Sequence, residues 1–218
     1  MKKVPFSELE QRLRRFRAAM DEKEPGWEMA LVISKVNQYY FTGTMQEGIL
    51  FIPRDGEAVY YARRSYERAV HESLFPDIRP MGSYRDAAAA LGRLPGTVHI
   101  EADFVPYGMC ARMQKYFGFD SVKAMDHVIA TVRSVKSPYE LELMIKAGDI
   151  HSRVLEERVP RLFREGITEA ELTADIFKVL VEEGHQGAAR FNMFDSEILL
   201  GHIAFGESSL YPTYFNGP

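Results

Sequence analysis

Residues 97–125, TVHIEADFVPYGMCARMQKYFGFDSVKAM, predict a strand, a helix and a second strand in succession. The strands are expected in TVHIEA (97–102) and DSVKAM (120–125), and the helix in YGMCARMQKYFG (107–118), ended by Gly118. A strand joined to the next strand through a helix is typical of a parallel pair in an α/β layer. This stretch therefore predicts an α/β fold.

The sequence before this stretch extends the same layer. GILFIP (48–53) and EAVYYA (57–62), separated by RDG, predict a hairpin, and MALVIS (29–34) predicts a buried strand. We expect a first helix with a capping box of Ser7 and Glu10. Further helices are predicted at 64–75 and 84–92, and a strand at 77–81. A hairpin beside parallel strands gives a mixed sheet flanked by helices.

The sequence after this stretch changes character. VRSVKSPYELELMIKAGDIHSRVLEERV (132–159) predicts a long helix that begins at the capping box of Ser137 and Glu140. A second helix is predicted to begin at the capping box of Thr168 and Glu171. Residues 190–206 predict two strands joined around Asp195 and Ser196. The apolar faces are formed by Leu141, Met144 and Ile145 on the first helix and by Leu172, Ile176, Phe177 and Leu180 on the second.

Two amphipathic helices cannot bury their apolar faces on a single hairpin, because an isolated hairpin is at best marginally stable. We therefore expect the sequence to be the front part of a longer protein whose missing sheet covers these helices. A homodimer that completes the layer is the alternative.

The composition indicates which kinds of partner and which cellular location to expect. The chain has 218 residues, with 46% hydrophobic residues, 27% charged residues and a net charge of -4, which favours neither a nucleic-acid partner nor an anionic membrane. The basic run RLRRFR (12–17) is interpreted as the solvated face of a helix. With one cysteine, Cys110, no signal-peptide pattern and no apolar run long enough to span a bilayer, we expect a cytoplasmic protein.

Three segments resemble the creatinase, prolidase and aminopeptidase P family of metallopeptidases, the M24 family. They are SKVNQYYFTG (34–43), VRSVKSPYELELMIKAGDI (132–150) and REGITEAELTADI (164–176). The matching residues of the first two are Asn37, Tyr40, Phe41, Thr42, Gly43, Arg133, Lys136, Ser137, Pro138, Glu140 and Leu141. The resemblance implies a creatinase/prolidase-type N-terminal domain at 1–130 and an incomplete α+β pita-bread catalytic domain at 131–218.

The resemblance also implies a metal-dependent Xaa-Pro peptidase, of the prolidase or aminopeptidase P kind, with a peptide substrate. Its two divalent metal ions (Mn, Co or Zn) are implied to be bound by two Asp, one His and two Glu, which we expect beyond Pro218. We assign no catalytic residue and no metal ligand in this chain, and expect it to be inactive alone. None of its six histidines has a partner at the spacing of a known metal motif.

Two residues are candidates for substrate binding. His202 lies in the second predicted strand near the position of the family's cleft, although its apolar neighbours Leu200 and Ile203 also fit a core histidine. Peptidase members often carry Pro-His where this chain has Pro212 and Thr213, so the imidazole that donates to a developing oxyanion is replaced by a hydroxyl.

Two alternatives to a peptidase remain open, and Thr213 favours the first of them. The first is a non-catalytic protein whose peptidase-like cleft binds a peptide without cutting it. The second is a creatinase-type hydrolase that cleaves a C–N bond of a small substrate without metals. The resemblance further implies a homodimer, because N-terminal domains of this family mediate dimerisation.

Overall fold

The structure is a computed structural model that describes residues 3–190, 197–198, 200–201 and 203–211. It forms two compact units, Met1–Val135 and Lys136–Pro218.

The first unit has a mixed sheet with six strands within residues 3–135. The strands are β1 (Met29–Val32), β2 (Gly48–Pro53), β3 (Val59–Ala62), β4 (Ile78–Pro80), β5 (Thr97–Ile100) and β6 (Ser121–Ala124). Their order in the sheet is β4-β3-β2-β1-β5-β6. The central pair β1–β2 and the pair β2–β3 are antiparallel, whereas β1–β5, β5–β6 and β3–β4 are parallel. The predicted α/β class, the hairpin and the parallel pair of 97–125 are confirmed.

Helices connect these strands. They are α1 (Phe6–Lys23), α2 (Lys35–Thr42), α3 (Tyr66–Glu72), α4 (Tyr84–Leu91), α5 (Tyr107–Phe117) and α6 (Asp126–Ser134). One face of the sheet packs on α4 and α5 through a core that includes Phe51, Val98, Met113 and Phe117. On α1, Leu9, Phe16 and Met20 are buried, and their spacing places them on one face of the helix.

Two local expectations for α1 are wrong. Its N-cap is Pro5, so Ser7 and Glu10 lie inside the helix and form no capping box. The run 12–17 is not a solvated face, because Arg12 is almost fully buried and donates to Glu8, one helical turn earlier. A buried arginine is tolerated where an acidic partner and hydrogen-bond acceptors replace its water.

Glycines end two helices, and the predicted end of α5 at Gly118 is confirmed. Gly43 follows α2 with a φ of 74°, and Gly118 follows α5 with a φ of 73°. This left-handed conformation disfavours residues with a Cβ, and it lets the backbone turn from each helix into the next segment.

The second unit contains α7 (Pro138–Arg153) and α8 (Glu169–Glu182). Both predicted capping boxes are present, since Ser137 and Glu140, and likewise Thr168 and Glu171, exchange side-chain and backbone hydrogen bonds. A π-helical turn (Val154–Arg158) and a 3-10 turn (Val159–Leu162) continue α7. Pro160 cannot donate a backbone hydrogen bond, so regular α-helix does not continue through this segment.

The apolar faces of the two helices differ in burial. On α8, Leu172, Ile176 and Val179 are buried, but α7 has no buried residue, and Ile145 is 65% exposed. Two-residue strands, β7 (Ala189–Arg190) and β8 (Glu197–Ile198), pair antiparallel as predicted for this region. Asp195 and Ser196, the predicted turn, lie outside the described residues.

Candidate functional site

The carboxyl ends of β1 and β5 lie beside a fully buried acidic side chain, Glu101. These strands are parallel neighbours, so the residues that follow them, Ile33 and Glu101, come together at one edge of the sheet. The fully buried Glu101 carboxylate accepts hydrogen bonds from the backbone N–H groups of Ile33 (2.5 Å) and Ser34 (2.8 Å). Glu101 thus binds the chain at the entry to α2.

A side chain of α2 extends this contact. Asn37 Nδ2 donates to the second Glu101 oxygen at 2.5 Å, and Asn37 Oδ1 accepts from Arg133 Nη1 at 2.8 Å. Because a guanidinium can only donate, Arg133 fixes which end of the Asn37 amide faces Glu101. The three side chains form a continuous chain of hydrogen bonds from β5 through α2 to α6.

Tyr40 connects a second arginine to the same group. The Arg133 guanidinium carbon lies 5.8 Å from the centre of the Tyr40 ring, and that of Arg12 lies 4.3 Å from it. Arg12 also donates to the Tyr40 carbonyl at 2.7 Å. We call Glu101, Asn37, Tyr40, Arg12 and Arg133 the Arg133 cluster.

The Arg133 cluster brings together two of the segments that carry the family resemblance. Asn37 and Tyr40 come from residues 34–43, and Arg133 lies 96 residues after Asn37 along the chain. Phe41, Thr42 and Gly43 of the first segment are structural in another way: Phe41 is fully buried, the Thr42 hydroxyl donates to Gln38 O at 2.7 Å, and Gly43 ends α2. These motif residues therefore hold the fold of the first unit.

Two carboxyl groups near this edge of the sheet, those of Glu101 and Asp126, have pKa values above those of exposed carboxyl groups. Burial raises the pKa of Glu101, and the hydrogen bonds from Asn37, Ile33 and Ser34 act in the opposite direction. Burial also raises the pKa of Asp126, helped by the charge of nearby Asp103. Since donors already meet both Glu101 oxygens, this carboxylate serves to bind protein groups.

A second buried carboxylate lies beside the end of α2. Glu72 accepts from Thr44 Oγ1 at 2.6 Å, Gln46 Nε2 at 2.8 Å and Arg68 Nε at 3.1 Å. Burial acts to raise the pKa of Glu72, but these three donors lower it overall. The contacts join α3 to the turn that follows Gly43.

His99 is the buried histidine of the sheet. It lies on β5, its side chain is 2% exposed, and neither ring nitrogen has a hydrogen-bond partner among the described residues. Its Nε2 is 3.6 Å from Glu24 Oε2, which in turn pairs with Lys123 Nζ at 3.0 Å. Burial lowers the pKa of His99, although Glu24 acts to raise it.

The two candidate substrate contacts, His202 and Thr213, lie outside the described residues and stay predictions. Within the residues that the structure does describe, no three His, Cys, Asp or Glu side chains are grouped to hold a metal ion. No described helix is both long and apolar enough to cross a membrane.

Sequence reasoning missed Glu101 and the burial of Arg12. Glu101 had a usable signal, because an acidic residue directly after a buried strand lies where the carboxyl ends of parallel strands meet. The burial of Arg12 had no comparable signal in the sequence. Glu8 lies four residues earlier, but acidic and basic residues at this spacing are also common on exposed helices.

The sequence pattern that defines the Creatinase/Prolidase N-terminal domain matches residues 12–135. The chain belongs to this family. The matched range contains the whole Arg133 cluster, so the cluster belongs to the family's N-terminal domain.

Relatives resemble the chain beyond that domain. A Xaa-Pro dipeptidase of Pyrococcus furiosus is 26% identical over 196 residues, which are 89% of this chain and 53% of the relative. The solved prolidase of Pyrococcus furiosus has a TM-score of 0.69 at 25% identity, over 80% of this chain and 54% of the other. A solved dipeptidase of Mycobacterium ulcerans has a TM-score of 0.69 at 25% identity, over 86% and 53% respectively. The chain thus spans about half the length of the relatives it matches.

Proposed function

We propose that the chain is the N-terminal portion of a metal-dependent Xaa-Pro peptidase of the prolidase or aminopeptidase P kind. The observation that carries this proposal is the extent of the similarity to the Xaa-Pro dipeptidase, which covers 89% of the chain. It therefore includes residues after the N-terminal domain, which ends at residue 135. The capping boxes of α7 and α8, both present, lie in this later part and carry the resemblance to the catalytic domain.

The proposed reaction uses two divalent metal ions, Mn, Co or Zn. Such ions hold a nucleophilic hydroxide and polarise the scissile carbonyl when they are bound. We propose that their ligands, two Asp, one His and two Glu, lie in the part of the relatives' length that this chain does not span. For the first unit, we propose that it borders the entrance through which the peptide reaches the metals.

The decisive experiment compares two proteins from the same gene, the full open reading frame and the 218-residue chain. Each is treated with chelator, reloaded with Mn²⁺, Co²⁺ or Zn²⁺, and incubated with Ala-Pro, with Leu-Ala as the control that lacks proline. We expect metal-restored cleavage of Ala-Pro by the full protein and none by the 218-residue chain. Ala-Pro binding without turnover under any metal would support the peptide-binding alternative instead. Metal-independent cleavage of creatine would support the creatinase-type alternative.

We propose that His202 and Thr213 contact the substrate in the full protein. If Thr213 replaces an imidazole donor to the oxyanion, Thr213→His raises the turnover of Ala-Pro. If His202 binds the peptide, His202→Ala raises KM at unchanged kcat. Unchanged kinetics in either variant would remove that residue from the site.

A cytoplasmic homodimer is the proposed state of the protein. The single cysteine, Cys110, agrees with a reducing compartment, and the dimer follows from the family resemblance. Light scattering of the full protein during size-exclusion chromatography tests the dimer, and fractionation of the producing cells tests the location. A monomeric mass at every concentration would contradict the dimer, and recovery with the membrane or secreted fraction would contradict the location.

A further inference from the structure

The last turn of α6 is the end of the first unit. α6 buries Val128, Ile129 and Val132, and the unit ends at Val135, one residue after the helix. The last carbonyls of a helix have no partner inside it, so the end of a helix frays unless other groups bind those carbonyls.

Arg15 of α1 binds one of these carbonyls and the carbonyl of the residue that follows the helix. Its Nη2 atom donates to Val132 O at 2.7 Å and to Val135 O at 2.8 Å. One nitrogen thus joins the last turn of α6 to the residue that follows it. The positive charge also lies at the negative end of the α6 dipole, where a cation is favoured.

Arg133, which lies in the same turn, binds a residue of a different helix, α2. Its guanidinium donates to Asn37 Oδ1 at 2.8 Å, and Asn37 is held in turn by the buried Glu101. The final turn of α6 is therefore bound to α1 through one arginine and to α2 and β5 through another.

We propose that Arg15 and Arg133 are positioning residues that hold the last turn of α6, and with it the point at which the chain leaves the first unit. Together they act as a clamp on residues 132–135, which we call the exit clamp.

Hydrogen exchange measured on the 218-residue chain tests the exit clamp without any assay of activity. Arg15→Met and Arg133→Met are compared with Arg14→Met, which removes an exposed arginine of α1 that lies 3.6 Å from Glu10. We expect the two clamp variants to exchange the amides of residues 130–137 at least tenfold faster than the wild type, with α4 and α5 unchanged. The Arg14 variant should match the wild type throughout.

Arg15→Lys provides a rescue, because an ammonium group can also donate to two carbonyls. Its exchange rates at 130–137 should return to within about threefold of the wild type. Exchange within twofold of the wild type in Arg15→Met and Arg133→Met would overturn the proposal. Equal acceleration throughout the first unit would do so too, because it would show general destabilisation instead of a local clamp.

The effect on catalysis rests on the proposed function. If the first unit borders the substrate entrance, loosening the clamp in the full protein raises KM for Ala-Pro at least threefold and leaves kcat within twofold. A loss confined to kcat would overturn this role. Absence of peptidase activity in the wild type would contradict the proposed function, whereas the exchange result would still decide whether the clamp exists.

Discussion

At the scale of single residues, the first unit is organised by buried polar groups whose hydrogen-bond directions are fixed. Asn37 donates to Glu101 and accepts from Arg133, so reversal of its amide would set donor against donor at Arg133. A buried polar group left without a partner costs about 1–3 kcal/mol. A substitution that changes the donor or acceptor at one of these three side chains should therefore lower the free energy of unfolding.

A double-mutant cycle tests that order. Glu101→Gln places an amide nitrogen opposite Asn37 Nδ2, and Asn37→Asp places two carboxylates together, so each change alone should lower the free energy of unfolding by about 1–3 kcal/mol. In the double variant, the new amide at position 101 can donate to the new carboxylate at position 37, which still accepts from Arg133. We expect it to recover about 1 kcal/mol or more relative to the sum of the single changes, as measured by urea unfolding. Additive losses would show that these groups do not interact.

His99 predicts a pH dependence of stability. Burial lowers the pKa of His99 in the folded chain below its ordinary 6.5, so folding favours the neutral ring. The stabilisation is complete above about pH 6.5 and is lost as the pH falls from there toward the folded pKa. We expect His99→Leu to reduce the loss of stability between pH 7.5 and pH 5, measured by urea midpoints. His127→Gln, at an exposed histidine, is the control and should retain the wild-type loss.

At the scale of elements, the ends of the helices depend on particular residues. Directly after α5, Gly118 has a φ of 73°, and a Cβ there would lie 3.2 Å from Arg93 Cγ. Gly108, within the same helix, has no atom within 4 Å of an added Cβ. The two glycines therefore offer opposite outcomes for the same substitution.

We expect Gly118→Ala to lower the free energy of unfolding by about 1–2 kcal/mol, because alanine is disfavoured in the left-handed region. Gly108→Ala should raise it by up to about 1 kcal/mol through helix propensity. Thermal or urea unfolding measures both. Equal effects of the two substitutions would contradict the assigned end of α5.

At the scale of the whole molecule, α7 leaves its apolar side chains exposed. The exposed fractions are 46% for Leu141, 53% for Met144 and 65% for Ile145. A contiguous apolar helix face favours association between molecules, so we expect the 218-residue chain to self-associate as its concentration rises.

Sedimentation velocity over a concentration series measures this association. Ile145→Lys places a charge on the apolar face and should shift the chain toward monomer, whereas Lys146→Gln on the same helix should not. Association that is equal in all three proteins would show that another surface is responsible.

Much of the fold could be predicted because its signals are local. The hairpin of 48–62, the strand–helix–strand succession of 97–125 and the boxes at Ser137 and Thr168 each depend on neighbouring residues, and the structure contains them all. The α1 capping box failed although its residue types fit, because Pro5 begins the helix before Ser7. Helix α2 is not predicted from the sequence, because its buried residues include the polar Asn37 and Gln38 and therefore form no apolar stripe. These two residues are buried by contacts with distant parts of the fold.

The amino-acid sequence by itself determined the α/β class, most of the elements and the resemblance to the prolidase family, since periodicity, caps and motif order are properties of the chain read in one direction. Only the tertiary structure decided what the motif residues do. Arg133 contacts Asn37 across 96 residues, and Arg15 contacts Val135 across 120. Hydrogen bonds between such distant positions exist only after the sheet has brought β1, β5 and the helices together, so no local pattern encodes them.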